Sequence, residues 1–413
     1  MVMFNDIKTP GSKKTKVSNS LDLPPIKDPT DLGPLPPLSV SQQTVDFEIT
    51  EPVVPDSNKA HFWDFSWTFS KRTNIILGTI AAVLLVGGLI AVWQTRPSGQ
   101  TSAQVSKKLP SKKPVDTRVA SNLTGMPVDA SYNSKPVIGV MIENSLEARP
   151  QSGLAEAGVV FEAIAEGGIT RFLALHQDTK PELIGPVRSA RPYYVQWCGN
   201  FNCVYAHVGG SPEALALIRS TGTRDMDQFA NSGAYTRVSN RYAPHNVYTS
   251  SAKLHQLATS KGFTSSTFTP ILRKKDAPSK TPTASSVAVR ISSANYNSTY
   301  AYDLATNSYV RSQKGAAHTS VDAKNTQIPI RPKVVVALTM GYGVATDKHS
   351  QYNTIGSGQG TVFQDGIATP ITWTKTDTKA QFTFTDAAGQ PVALNAGQTW
   401  IVAVSSSGLV THQ

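Results

Sequence analysis

Hydrophobic residues are spread very unevenly along this chain of 413 residues. Residues 1–70 are rich in Pro, Ser, Thr and Asp and show no sustained apolar period, which is typical of a disordered tail. An uncharged apolar run follows at 75–93, and regular alternation of apolar and polar positions begins only near residue 134. The pattern therefore predicts a tail, a membrane-crossing segment and a folded C-terminal part.

The run IILGTIAAVLLVGGLIAVW, from Ile75 to Trp93, predicts a membrane-spanning helix, because its 19 residues would extend roughly 28 Å as an α-helix. A cleaved signal peptide is the alternative, but about 70 residues precede the run. Lys71 and Arg72 lie on its N-terminal side. We predict one transmembrane helix over 73–94, a cytoplasmic N-terminus, and an extracytoplasmic C-terminal part on a basic flexible linker over 95–134.

From Ser134 the pattern predicts strands that alternate with short helices. The strands are KPVIGVMIEN, VVFEAIA, TRFLALHQ and VYAHVGG, the middle two forming an antiparallel hairpin around Glu166-Gly167-Gly168. Helices are predicted at RPQSGLAEAG, SPEALALIRS and SSAKLHQLATSKG, while GPVRSARPYYVQW begins as a turn and continues as a helix or strand. This predicts an α+β (or α/β) N-terminal lobe over 135–263.

Beyond a Pro-, Ser- and Lys-rich linker at 264–284, nearly every signal is that of a β-strand. The strand patterns are VAVRI, YAYDLATNSYVRS, KVVVALTM, GTVFQDG, ITWTKT, QFTFTDAAGQPVAL and GQTWIVAV. We therefore predict a second, mainly β C-terminal lobe over 285–413.

The net charge of +11 and the pI near 9.5 invite a nucleic-acid function, but the distribution of the charge argues against it. Much of the excess lies in the predicted linker, where two lysine pairs stand between Ser, Pro and Thr. Such a segment is typical of a basic tether near an anionic surface. We expect no specific nucleic-acid recognition.

The two cysteines, Cys198 and Cys203, have four residues between them in WCGNFNC. This spacing suits a small disulfide-closed loop in an oxidising compartment, and two reduced thiols are the alternative. A metal site would need further ligands at suitable spacing, which the sequence does not offer. We predict a disulfide, no metal and no cofactor.

Charged residues crowd the stretch from Phe161 to Tyr194. Glu162 and Glu166 are four residues apart, so on a regular strand they would point to the same face. A carboxylate pair of this kind suits acid–base chemistry or cation binding. Four arginines nearby would either pair with these carboxylates or bind an anionic ligand through their planar forks: Arg149, Arg171, Arg188 and Arg191.

Two further motifs carry candidate residues. In HVGGSPEA, His207 ends a strand and Ser211 starts a helix, so free backbone N–H groups there could receive an anion; a plain helix start is the alternative. In RYAPHNVYT the candidates are Arg241, His245 and Asn246. The two histidines could act as general bases and Ser189 or Ser211 as nucleophiles, but no GxSxG, SxxK or HExxH motif supports a named hydrolase class, and structural hydrogen bonding is the alternative.

Taken together, five segments in this order resemble the YerB-like lipoprotein family: VMIEN, ARPQSGLAEAGVVFEAIAEGGITRFLALHQ, IGPVRSARPYYVQW, HVGGSPEAL and APHNVYTS. The resemblance covers about residues 120–260 and extends less sharply over the β-rich region. It implies an extracytoplasmic, membrane-attached protein with two domains, and it implies no reaction, because the family has no established activity. One departure matters: no cysteine precedes Cys198 to carry a lipid, so anchoring would fall to the transmembrane helix.

Three functions are consistent with these residues. The first is an extracytoplasmic binding protein whose Arg-, Glu- and His-lined pocket holds an anionic cell-envelope polymer or peptide. The second is a cell-envelope hydrolase or transferase that uses Glu and His as acid and base, and the third is a non-catalytic scaffold. The candidate ligand-binding residues are Arg149, Glu162, Glu166, Arg171, Arg188, Arg191, His207, Ser211, Arg241, His245 and Asn246.

Overall fold

The computed structural model describes residues 116–413, which contain three α-helices. These are α1 (Pro192–Gly199), α2 (Pro212–Thr221) and α3 (Ser251–Ser260). Proline at the first turn starts α1 and α2, and serine side chains cap α2 and α3. Within 116–413 no helix has the length and apolar character needed to cross a membrane. The predicted tail at 1–70 and the predicted transmembrane helix at 73–94 lie outside the described residues.

Short strands dominate the rest of this range. In chain order they are β1 (Val119–Ala120), β2 (Pro127–Val128), β3 (Ile138–Glu143), β4 (Val159–Glu166), β5 (Ile169–His176), β6 (Val204–His207), β7 (Arg224–Asp227), β8 (Thr236–Arg237), β9 (Val247–Tyr248), β10 (Arg273–Lys274), β11 (Ser286–Val289), β12 (Ser298–Asp303), β13 (Ser308–Gln313), β14 (Ala316–Ala317), β15 (Thr319–Val321), β16 (Gln327–Pro329), β17 (Val334–Thr339), β18 (Tyr342–Val344), β19 (Ser350–Tyr352), β20 (Gly356–Gln364), β21 (Ile367–Lys375), β22 (Thr383–Thr385), β23 (Leu394–Asn395), β24 (Thr399–Val404) and β25 (Val410–His412).

Ten of these strands form one mixed sheet, in the order β22-β21-β20-β17-β24-β4-β5-β3-β6-β7. Strands β17, β24 and β4 run parallel to one another, and so do β3, β6 and β7. The antiparallel strand β5 lies between β4 and β3 and joins the two parallel groups. Strands on both sides of the predicted linker at 264–284 thus share a single sheet, because β24 pairs directly with β4.

Both faces of this sheet are buried by apolar side chains. Along β5, Phe172 and Ala174 belong to one core, while Leu173 and Leu175 belong to the other. Strand β24 alternates in the same way, with Trp400 in the first core and Ile401 in the second. Burial on both faces explains why the central strands are apolar at nearly every position, as in a parallel sheet that is covered on both sides.

Different elements cover the two faces. The first core includes residues of α3 and of a second, five-stranded sheet with the order β14-β13-β12-β11-β25. The second core includes Tyr193, Tyr194 and Trp197 of α1 together with residues of α2. The aromatic rings of α1 pack edge to face, with the Tyr194 and Trp197 centroids 5.2 Å apart.

The described part of the chain is mostly β, with few helices, in a two-domain layout. The predicted hairpin is confirmed as β4 and β5, and the helix predicted at SPEALALIRS is confirmed as α2. The helix predicted at RPQSGLAEAG is wrong, because this segment consists of isolated bridges, bends and turns. Gly153 there has a φ of 87°, a left-handed conformation that a regular helix excludes. The domain boundaries at 135–263 and 285–413 remain sequence predictions.

Candidate functional site

Most of the candidate residues lie at one edge of the ten-stranded sheet. The parallel strands β3, β6 and β7 end there, at Glu143, His207 and Asp227. Arg171, near the start of antiparallel β5, pairs with Glu143 across the ladder. Carboxyl ends of parallel strands meet at one edge, and open α/β sheets bind their ligands there. We call this edge the carboxyl edge.

Glu143 forms the first cluster of charged residues at the carboxyl edge. Its carboxylate is 4% exposed and meets two basic side chains from outside the sheet. Arg188 Nε lies 3.1 Å from Oε1, and His245 Nδ1 lies 2.9 Å from Oε2. The side chains of Arg188 and His245 are 23% and 21% exposed, so both groups reach solvent from a buried carboxylate.

Glu166 forms a second cluster at the end of β4. Arg171 Nη2 lies 2.6 Å from one carboxylate oxygen, and Arg191 Nη2 lies 2.5 Å from the other. Both guanidinium groups also donate to backbone carbonyls, Arg171 to Ser189 and Arg191 to Ala190. Burial alone would raise the pKa of Glu166, but the two arginines hold it below its ordinary value. Glu166 is therefore an ion-paired carboxylate and is already satisfied.

Glu162 and Glu166 do not share a face, so the same-face prediction is wrong. The ladder between β4 and β5 shifts register between Ile164 and Glu166. A bulge of this kind adds one residue to a strand and re-aims the side chains beyond it. Glu162 consequently faces Trp400 and the first core, whereas Glu166 reaches Arg171 on the opposite face.

Glu162 lies in a closed interior. It is 1% exposed, and Arg311 Nη2, which is fully buried, contacts its Oε2 at 2.8 Å. Trp400 Nε1 donates to the same oxygen at 2.9 Å, and Thr170 Oγ1 donates to Oε1 at 3.2 Å. The Arg311 guanidinium also stacks over the Trp400 ring, 4.6 Å from its centroid. No position remains at this carboxylate for a ligand.

Arg149 belongs to an extension of the same interior network. It donates to the side chain and carbonyl of Asn144 and to the carbonyl of Asn295, at 2.9–3.1 Å. Farther inside, His318 contacts Arg311 and Gln151. Burial, followed by the charges of Arg311 and Arg149, lowers the pKa of His318 well below its ordinary value, so the imidazole is neutral in the folded protein.

His207 is completely buried and is held by acceptors on both ring nitrogens. Nδ1 donates to the Gly209 carbonyl at 2.8 Å, and Nε2 lies 2.9 Å from Asp225 Oδ1. Burial alone would raise the pKa of Asp225, but the hydrogen bond from His207 and the electrostatic contribution of the same imidazole lower it. Asp227 accepts from the Gly209 backbone N–H at 2.8 Å, which anchors the loop after β6. His207 therefore positions this loop and does not reach solvent.

The remaining candidates support local backbone. Ser211 caps α2 by accepting from the Ala214 N–H, which is the plain helix-start alternative. Arg241 donates to the carbonyls of Glu147 and Pro150 at 2.6 and 2.9 Å, and Asn246 pairs with Arg237. All three side chains are thus engaged within the protein.

The structure joins Cys198 and Cys203 by a disulfide at the C-terminal end of α1. Their Cα atoms are 5.3 Å apart, within the usual range for such a bond. Gly139 of β3 packs directly against it, since a Cβ at that position would lie 2.6 Å from Cys203 Sγ. The disulfide is therefore part of the second core and rests on the central sheet.

Sequence reasoning missed Glu143, Arg311, His318 and the Asp225–Asp227 pair. Glu143 had a usable signal, because it is a carboxylate at the end of an otherwise apolar predicted strand. Arg311 had none, since an arginine in an alternating strand normally faces solvent.

One group of side chains among the described residues could hold a metal ion: Glu213, Asp347 and His349, whose ligand atoms lie within 4.8 Å of one another. Two of these three are exposed, and exposed acidic groups are commonly this close without an ion.

Comparisons with known proteins match the chain to the two domains of one family. Residues 123–264 match the N-terminal domain, and residues 287–401 the C-terminal domain, of a family described as protein of unknown function (DUF3048). YerB of Bacillus subtilis strain 168, whose name describes it as a lipoprotein, is 31% identical over 262 residues, which is 62% of this chain and 78% of YerB. The crystal structure of Bacillus subtilis YerB superposes with a TM-score of 0.65 and 28% identity, covering 72% of this chain and all of that chain. The chain therefore belongs to the YerB-like family, a family of unknown function with paired DUF3048 domains.

Proposed function

We propose that the protein is a membrane-attached, extracytoplasmic binding protein that holds an anionic cell-envelope polymer or peptide at the carboxyl edge. The description of YerB as a lipoprotein supports the location, and so does the disulfide, since disulfides persist in oxidising compartments. The uncharged run at 75–93 supports a single-pass anchor, and Lys71 and Arg72 on its N-terminal side favour an orientation with the described residues outside the cell.

One observation carries the binding proposal: Arg188 and His245 both reach solvent from the buried Glu143. The carboxylate orders both side chains, so less side-chain entropy is lost when an anion binds. A guanidinium offers a planar pair of donors that matches a carboxylate or phosphate. The ligand would contact these two side chains from the solvent side of the edge.

The catalytic alternative has less support, because acid–base chemistry needs groups within reach of a substrate. Glu162 and His207 are 1% and 0% exposed, and Glu166 is held by two arginines. The scaffold alternative accounts for the interior pairs but leaves the partly exposed Arg188 and His245 without a role.

The test is co-sedimentation of the full chain with cell-wall sacculi that either retain their anionic polymers or have been stripped of them. We expect binding to the first preparation, and about tenfold or more weaker binding for Arg188→Gln, because a hydrogen bond to a charged group contributes about 1.5–3 kcal/mol. Arg188→Lys, which keeps the charge, should retain part of the affinity.

Arg219→Gln is the matched control, because Arg219 is an exposed arginine on α2 outside the carboxyl edge. Thermal unfolding of each variant shows whether the protein still folds. Equal binding by Arg188→Gln and the parent chain, or equal weakening by both arginine variants, would contradict the proposed site.

A further inference from the structure

A cavity lies at the opposite edge of the sheet, away from Glu143. Its volume is about 540 Å³. Lys135 and Pro136 line it just before β3 begins, and Gln177 lines it just after β5 ends. The first turn of α3, with Ser250 and Ser251, forms another wall. The cavity therefore lies where the amino end of β3 meets the start of a helix.

Two lysines bring positive charge to this cavity. The Nζ atoms of Lys135 and Lys180 lie 4.0 and 5.5 Å from the centroid of the same ring, that of Tyr132. Within residues 116–413 neither lysine forms a salt bridge. Glu182 supplies the single carboxylate of the lining, and it is exposed. The cationic charge of the lining therefore exceeds the anionic charge.

The start of α3 adds a helix dipole, although the Ser251 N–H already donates to the Pro181 carbonyl. The helix has ten residues, and the Ser250 hydroxyl caps it by accepting from the Lys253 N–H. An α-helix of this length carries partial positive charge at its N-terminus, where anions are stabilised. Farther along the helix, burial and then the charges of Lys135 and Lys180 lower the pKa of His255. The same positive field thus extends over the first turns of α3.

The cavity wall also holds buried polar groups that have no partner. Ser251 is 2% exposed and Gln177 is 1% exposed. Neither Ser251 Oγ nor Gln177 Oε1 forms a hydrogen bond. A buried polar atom without a partner costs free energy, so such atoms are usually satisfied by water or by a ligand. Ser251 Oγ can donate a hydrogen bond to an anionic occupant, and it points to one independently of the helix dipole and the lysines. Gln177 Oε1 is an acceptor, so it would be satisfied by water or a lysine ammonium group and not by an anion.

We propose that this cavity is a binding site for a phosphate monoester that carries a small apolar group. The two unpaired ammonium groups and the helix start suit a doubly charged anion with several acceptor oxygens. Pro136, Pro181, Ala252 and the Tyr132 ring give the lining its apolar part, which would receive the organic group. The site is separate from the carboxyl edge and does not depend on the function proposed there.

Phenyl phosphate is the probe, and isothermal titration calorimetry of the full chain in detergent is the measurement. We expect saturable binding at one site, with phenol and inorganic phosphate each binding about tenfold or more weakly. The double variant Lys135→Gln/Lys180→Gln should lose at least tenfold in affinity, because both charge-assisted contacts are removed. The charge-matched control is Lys275→Gln/Lys280→Gln, whose exposed lysines lie outside the cavity lining.

Ser251→Ala separates a ligand contact from a structural role. Removing a hydroxyl that has no partner should leave the thermal midpoint of the unliganded protein unchanged or raised, while phenyl phosphate binds more weakly. If the cavity double variant does not fold, Lys180→Gln alone replaces it, since Lys180 is exposed.

The proposal is overturned if phenyl phosphate shows no saturable binding, or if the two lysine double variants weaken it equally. If inorganic phosphate binds as tightly as phenyl phosphate, the apolar part of the lining does not bind the organic group. If Ser251→Ala binds phenyl phosphate as tightly as the parent chain, the first turn of α3 does not contact the ligand.

Discussion

Replacing Glu162 with glutamine isolates the contribution of the buried ion pair between the N-terminal strand β4 and the C-terminal strand β13. The substitution keeps the size of the side chain and an acceptor for Trp400 Nε1, but it leaves the Arg311 guanidinium without a counter-charge. Arg311 is fully buried, and its other side-chain contacts are with neutral groups: Tyr300, His318, and the Phe172 and Trp400 rings. The charge therefore stays in the interior unpaired.

The expected cost follows from that burial. Breaking a buried pair by removing one partner destabilises a protein by about 3–5 kcal/mol, because an uncompensated charge remains in a medium of low polarity. For a folded unit of roughly this size, such a loss lowers the midpoint of thermal unfolding by about 6–10 °C. The double variant Glu162→Gln/Arg311→Met removes both charges, so we expect it to recover at least about half of the loss.

Urea denaturation followed by circular dichroism measures these differences as shifts of midpoint at constant slope. The control is Asp116→Asn, which breaks an ion pair of the same length, 2.8 Å in both cases, whose side chains are 58% and 60% exposed. We expect no measurable midpoint change for the control. A loss below about 1 kcal/mol for Glu162→Gln, or a double variant less stable than the single one, would refute the argument that burial makes this pair essential.

Two further predictions concern the core. Burial lowers the pKa of His176 from 6.5 to about 4, so its stabilisation is complete above pH 6.5 and is lost as the pH falls towards 4. The parent protein should therefore lose about 3 kcal/mol more unfolding free energy than His176→Gln when the pH is lowered from 7 to 4. If both proteins lose the same amount, the buried His176 is not the cause of the pH dependence. Gly139→Ala places a Cβ 2.6 Å from Cys203 Sγ, so we expect about 1–3 kcal/mol of destabilisation in denaturant titrations, against little change at the open Gly233. A Gly139→Ala variant as stable as the parent would show that the disulfide moves freely in the core.

Local signals predicted the elements that position the site. Ser211 and Pro212 located the start of α2, and a serine cap and a glycine stop located α3. The Glu166-Gly167-Gly168 turn between apolar runs located the β4–β5 hairpin. The resemblance to YerB-like proteins predicted the family. These features depend on residues that are close in sequence, so propensity and spacing are enough to predict them.

The roles of the charged residues depended on contacts between distant segments. Glu162 meets Arg311 from 149 residues away, and nothing near Arg311 in the sequence marks it as buried. The bulge before Glu166 is one irregular residue in the ladder, yet it moves that carboxylate to the other face. Such an irregularity is decided by how both faces pack, which spacing alone does not report.

The sequence by itself determined the classes of element, the cysteine pair, the uncharged run at 75–93 and the family, since each follows from composition or local pattern. Only the tertiary structure decided which charged side chains are buried in ion pairs and which can contact a ligand from solvent. Packing β24 against β4 buries Glu162 and its network, because a sheet covered on both faces excludes water from its centre. At the carboxyl edge that cover ends, and there Arg188 and His245 remain open to solvent.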